Sequence, residues 1–241
     1  MRASDRIAAL REPLSKRWGW FAFAAFTAFF IWGSIDFNTK IPLDDWRHDM
    51  RGDASGYYIY LPGTFHHGMR AANVSDSLQV VAGYGFTMNR VHDRIITKYT
   101  CAPAILMLPF YLIAEAIEGW GVSDGWSRTH HQAIEAGAII YWSLGLMLLA
   151  QAFVRRFPAT PWVAVLFVAA VAFGTNTFYY AFRAPAFSHV YSFFLVCVAI
   201  YAVYADYGRA MRKGSRWLFL FACAMVVAAR PTDLVAALAL V

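Results

Sequence analysis

The stretch WGWFAFAAFTAFFIWGSIDF, running from Trp18 to Phe37, decides the fold class. About 20 apolar residues at 1.5 Å rise cross the hydrocarbon core of a bilayer, and this run has that length. It is too long for the apolar core of a secretory signal peptide, and no small-residue cleavage site follows. It therefore predicts an uncleaved anchor. Residues 1–17 before it are polar and basic, with Arg2, Arg6, Arg11, Lys16 and Arg17. Beyond it, further apolar blocks are predicted at 101–117, 133–153, 161–180, 187–205 and 217–229, and another begins near Leu234. Composition agrees: 59% of the 241 residues are hydrophobic and 15% charged, where soluble domains carry about a quarter charged. The expected fold is an all-α polytopic membrane helix bundle. The chain stops a few residues into its last block, so it is expected to be part of a longer protein.

Charge sets the expected orientation. The net charge of +6 fits a membrane protein whose Lys and Arg collect in cytoplasmic loops. No basic stripe with interleaved aromatics lies outside the apolar blocks, so no nucleic-acid partner is expected. The basic tail, Arg155 with Arg156, and the group Arg209, Arg212, Lys213 and Arg216 all read as cytoplasmic. Strict alternation through every block would place the last two groups outside. The conflict disappears if 101–117, broken by Pro103 and Pro109, forms a re-entrant hairpin. The Asp-rich first loop, the turn from Arg183 to His189, and the segment Arg230-Pro231-Thr232-Asp233 then share the outer face.

The first outer loop spans 38–100. It is too long to lack structure of its own, and its aromatic and glycine content predicts order, with a short interfacial helix over Gly56–Phe65. The segment Leu78–Met88 is too short to span. Around Asp53 stand Asp44, Asp45 and Asp49, then Tyr57, Tyr58 and Tyr60. A carboxylate held among aromatic rings at a membrane surface suits a general base, although the same acids would also serve to solvate the loop and balance Arg47 and Arg51. Gly52 and Gly56 flank Asp53 and permit tight turns and close approach. Asp45, Asp49 and Asp53 repeat every four residues, but no recognised cation loop is present and no metal is expected.

Other ionisable groups sit at the block ends. Lys98 is suited to meet a lipid phosphate or to anchor the interface beside Tyr99. Arg183 and His189 are candidates because charged groups at a membrane are costly unless they face a cavity or partner. Arg230 precedes Pro231, and Asp233 is placed to pair with it. The pairs His66–His67 and His130–His131 lack metal-ligand spacing and read as loop residues. Cys101, Cys197 and Cys223 are widely spaced and read as packing residues.

Taken in order, these motifs resemble bacterial multi-pass glycosyltransferases of the GT-C fold, the relatives of protein O-mannosyltransferases and of aminoarabinose and lipopolysaccharide-core transferases. The residues that carry the resemblance are the Gly52-Asp53-x-x-Gly56-Tyr57-Tyr58-x-Tyr60 loop, Lys98-Tyr99 leading to Pro109-Phe110, and Tyr179-Tyr180. They are followed by Ser188-His189-Val190-Tyr191-Ser192-Phe193-Phe194 and Arg230-Pro231-Thr232. The chain departs from the pattern at Thr100-Cys101-Ala102, where Pro and Gly are usual, and at Ala54. The resemblance implies a GT-C-like module over 18–241 in a bacterial inner membrane, N-terminus cytoplasmic. It implies inverting transfer of a sugar from a polyprenyl-phosphate donor to a glycan, lipid or protein hydroxyl of the cell envelope, without a cofactor. Asp53 would be the base, with Lys98, Tyr99, Arg183, His189, Arg230, Tyr57 and Tyr58 binding donor. The competing expectation from the residues alone is a transporter or flippase, since Pro-broken helices are typical there; a third is a membrane scaffold without chemistry.

Overall fold

The computed structural model describes residues 16–40, 50–157 and 161–239. It is mostly helical. Helix α1 (Lys16–Thr39) is followed by a loop module holding α2 (Asp53–Tyr58), α3 (Tyr60–Phe65), a 3-10 turn (Ala71–Asn73), α4 (Asp76–Ala82) and the strands β1 (Thr87–Asn89) and β2 (Arg94–Ile96). Then come α5 (Ala102–Glu118), α6 (Arg128–Arg156), α7 (Pro161–Gly174), α8 (Thr177–Phe182), α9 (Ser188–Ala205), α10 (Lys213–Ala229), the 3-10 turn Pro231–Asp233 and α11 (Leu234–Ala239). Within the described residues, three helices are long and apolar enough to cross a membrane: Gly19–Thr39, Arg128–Arg156 and Ser188–Ala205.

Helix α6 is the axis of the bundle. At 29 residues it extends about 43 Å at 1.5 Å per residue. Trp142 at its middle is fully buried and meets the rings of Phe26, Phe30, Phe173 and Phe178 from α1, α7 and α8. Small residues permit the closest crossings. A Cβ at Gly145 would lie 2.8 Å from the Phe193 ring of α9, and one at Gly137 would lie 2.6 Å from the Phe110 ring of α5. Helix α1 exposes Trp20, Phe21, Phe29 and Trp32, a surface suited to lipid rather than water.

The two ends of the bundle differ in chemistry. At one end Arg155 lies over the Tyr201 ring and Arg156 over Tyr207. Asp206 there accepts from the Arg212 guanidinium at 2.7 Å and from Ser215 at 2.6 Å. At the other end stand Asn38, the loop module, Arg183, His189 and Arg230. The two basic groups of the sequence are thus together, opposite the loop.

Two expectations are corrected. The 101–117 block is one continuous helix and not a hairpin. Pro103 sits in its first turn, where no amide hydrogen is needed, and Pro109 lies on its exposed face. The hydrogen bond that Pro109 forfeits is offset by burial of Met107, Tyr111 and Ala114 on the other face. Both ends of α5 nevertheless lie on the loop side. Tyr141 donates to the Leu106 carbonyl at 2.9 Å and His130 meets Glu115 at 2.9 Å. Helix α5 therefore runs antiparallel along only the first half of α6. Second, the 161–180 block breaks after Gly174. There Thr175 and Thr177 donate back to the Val171 carbonyl at 2.7 and 3.2 Å, replacing backbone partners. Within the loop module β1 and β2 pair antiparallel, Thr87 opposite Ile96.

Candidate functional site

The site is built on glycines. Gly52 has φ +61, a backbone that L side chains rarely adopt, and its amide donates to the Ala82 carbonyl at 2.9 Å. This turn starts α2 at Asp53, so the carboxylate stands exposed at a helix start, where the helix dipole favours negative charge. A Cβ on Gly56 would lie 2.1 Å from the Tyr99 ring and 2.4 Å from the Gly85 carbonyl oxygen. The close approach expected at this glycine is therefore made by Tyr99.

Tyr99 is held on several sides. Its ring lies 4.6 Å from that of Tyr57, and its carbonyl accepts from the Tyr60 hydroxyl at 2.7 Å. Its amide donates to Thr97 Oγ1 at 3.2 Å, while that hydroxyl lies within hydrogen-bonding reach of the Gly56 and Gly85 carbonyls. So fixed, the Tyr99 phenol donates to Asp53 Oδ1. Burial, then the hydrogen bond and the charge of Asp53, push this phenol above its ordinary value, which keeps it a donor. Lys98 is exposed, with Nζ 5.1 Å from the Tyr99 ring centre.

A second cluster caps α9 and α10. Arg230 Nη1 donates to His189 Nδ1 at 3.0 Å. A guanidinium cannot accept, so Nδ1 carries the lone pair and the imidazole hydrogen is on Nε2. Tyr180 stacks on His189 at 3.6 Å between ring centres and 11° between planes. Asp233 lies 3.7 Å from Arg230 and accepts from Ser192, so the expected Arg230–Asp233 pair is present.

Two bridges join the clusters. Ser188 Oγ donates to the Tyr57 hydroxyl at 3.0 Å. Thr100 Oγ1 donates to the Ala229 carbonyl at 3.0 Å, one residue before Arg230. The segments that carry Asp53, Tyr57, Lys98 and Tyr99 are thus joined to the helix ends that carry His189 and Arg230. Arg183 and Tyr58 are placed otherwise. Arg183 donates to Asn38 Oδ1 at 2.7 Å and covers the Phe37 ring. Asn38 in turn donates to Glu135 and to the Phe182 carbonyl, so Arg183 ties α1 to α8. Tyr58 is fully buried and donates to the Gly125 carbonyl at 2.6 Å; it supports the loop from behind. Asp44, Asp45 and Asp49 lie outside the described residues. Among the described residues, no group of His, Cys, Asp and Glu is placed to hold a metal ion.

His66 and His67 lie in the turn after α3, as expected of loop residues, but the second histidine pair does not lie in a loop. His130 and His131 are buried on α6. Glu115 Oε1 on α5 meets His66 Nε2 at 2.6 Å and His130 Nε2 at 2.9 Å. The only sequence signal for this cluster is a carboxylate inside an apolar helix. No protein-family model matches the chain, and neither a curated protein nor a solved structure matches it. The family likeness therefore rests on the sequence motifs.

Proposed function

We propose that this chain is a GT-C-like module of an inverting membrane glycosyltransferase. It uses a polyprenyl-phosphate-linked sugar and acts at the loop side of the bundle, the outer face of a bacterial inner membrane. The observation that carries this reading is the pair of bridges, Tyr57–Ser188 and Thr100–Ala229, which tie the loop that carries the exposed Asp53 carboxylate to the helix ends that carry the Arg–His pair. Transfer to a hydroxyl needs a base near the acceptor proton and positive or hydrogen-bonding groups where the phosphate leaves.

In this reading Asp53 takes the acceptor proton. The Tyr99 phenol fixes the carboxylate rotamer and leaves Oδ2 free for the acceptor. Arg230, whose charge persists at any working pH, and His189, through Nε2–H, stabilise the departing phosphate. Exposed Lys98 supplies a second cation at the rim. The basic far end faces the cytoplasm, as the positive-inside rule requires. The sugar bond breaks toward the phosphate while the acceptor oxygen attacks from the opposite face, and the proton passes to Asp53.

The test is transfer by the full-length membrane protein from a panel of polyprenyl-phosphate sugars. Transfer that depends on Asp53 supports the reading. Carrier-mediated movement of a lipid-linked or small polar substrate without transfer would establish the transporter alternative.

A further inference from the structure

The buried carboxylate of Glu115 has no part in the chemistry above, yet it joins three segments. It is 1% exposed, and its Oε1 receives imidazoles from the end of α3 and from the first turn of α6. A carboxylate removed from water is costly unless fully hydrogen-bonded, so Glu115 holds both imidazole donors to it, with a consequence for the loop.

That consequence lies at the other end of α3. Helices α2 and α3 meet at Ile59, whose φ −54 and ψ −23 are helical. Ile59 donates to the Ser55 carbonyl at 2.9 Å, and Gly63 donates to the Ile59 carbonyl at 2.8 Å. Asp53 and His66 are therefore the two ends of one hydrogen-bonded rod. At its near end Asp53 meets Tyr99; at its far end His66 meets Glu115. Phe65 stacks on Tyr111 of α5 at 5.6 Å and 21°, and Tyr111 lies 4.9 Å from the His130 ring, so the far end is also packed.

We infer that Glu115 and His66 are positioning residues for Asp53, forming a latch that fixes the α2–α3 rod on α5 and α6. The role for Asp53 rests on the transferase reading; the latch itself does not. The groups that face Glu115 are His66 from α3, His130 from α6 and Tyr111 from α5. Glu118 and Ser127 stand behind His130, and His67 and Asp124 stand beside His66. Glu115 Oε1 is placed to accept from Nε2–H of both imidazoles.

The test is backbone hydrogen exchange over residues 53–66 of the intact chain in phospholipid nanodiscs. In His66→Ala these amides are expected to exchange about tenfold or more faster, as loss of a charge-assisted hydrogen bond produces. In His66→Gln, whose side-chain amide can donate in place of Nε2, rates return toward wild type. Amides of α9 and α10 keep their rates in both. Equal exchange in wild type and His66→Ala overturns the latch. Glu115→Gln gives a second route; should it loosen α9 and α10 as well, the His66 pair decides alone. With an active donor, His66→Ala lowers kcat at unchanged donor KM and His66→Gln restores it; an unchanged kcat overturns the positioning role. If wild type transfers no sugar, the positioning role falls with the transferase reading, and exchange still judges the latch.

Discussion

Tyr99 donates its phenol hydrogen to Asp53, with its ring seated on the bare backbone of Gly56. The pair joins the last turn of the loop module to the first residue of α2. It follows from a glycine whose missing side chain is what makes room. Tyr99→Phe keeps the ring and removes the hydrogen bond. Loss of a hydrogen bond to a charged group costs about 1.5–3 kcal/mol. Transfer should therefore fall about tenfold to a hundredfold while the loop stays folded, measured as kcat by product formation. Unchanged kcat in Tyr99→Phe contradicts an orienting role.

Gly56→Ala separates packing from helix propensity. Within α2, propensity alone favours Ala by up to about 1 kcal/mol. The new Cβ would instead meet the Tyr99 ring at 2.1 Å, and overpacking of this kind costs about 1–3 kcal/mol. We predict net destabilisation of the loop, seen as faster proteolysis between 50 and 100. Protection equal to or better than wild type would show that the ring moves aside freely.

Helix α5 gives a topological prediction. Its two ends lie on the loop side, so it does not cross. Single cysteines placed at Thr100 and Val122, in a background lacking the three native cysteines, should both react with an impermeant maleimide from the loop side. A cysteine at Arg209 should react from the opposite side. Labelling of Thr100 and Val122 from opposite sides would refute this placement.

The long apolar helices were legible because length and hydropathy are local properties: the 187–205 block matches α9 (Ser188–Ala205), and the 133–153 block lies within α6. The tight backbone at Gly52 and Gly56 and the Arg230–Asp233 pair were legible too, being short-range chemistry. What the sequence concealed is long-range. His66 and Glu115 lie 49 residues apart, and no spacing announces such a pair. The break after Gly174 is marked in the sequence only by the short polar run Gly174-Thr175-Asn176-Thr177, which the apolar residues on either side outweigh in hydropathy; the Thr175 and Thr177 hydroxyls donate there to the Val171 carbonyl. Arg183 carried the right charge for the site, but Asn38, from a helix far away in sequence, holds it elsewhere.

Glu115 also makes stability depend on pH. Burial alone would raise its carboxyl, but the hydrogen bonds from His66 and His130 outweigh burial and hold it below the ordinary value of 4.5. A depressed folded-state value means the contribution is present above 4.5 and is lost as the pH falls through the folded value. The stability gap between wild type and Glu115→Gln should shrink as the pH falls below 4.5. A gap that shrinks on raising the pH would contradict the assignment.

Arg230→Ala should act on the donor. It removes the cation beside His189 and leaves Asp233 to Ser192. Donor KM is expected to rise and kcat to fall, about a hundredfold in kcat/KM for a lost charge-assisted contact. Arg183→Ala should leave donor KM unchanged and lower thermal stability, since its partner is Asn38.

The central claim is tested most directly by transfer of sugar from polyprenyl-phosphate donors in the full-length, membrane-inserted protein, comparing wild type with Asp53→Asn. Asn keeps the shape and still accepts from Tyr99, but cannot take the acceptor proton. The account predicts transfer by wild type and a loss of at least about a hundredfold in the variant, the scale of general-base catalysis. Equal transfer by Asp53→Asn would contradict it.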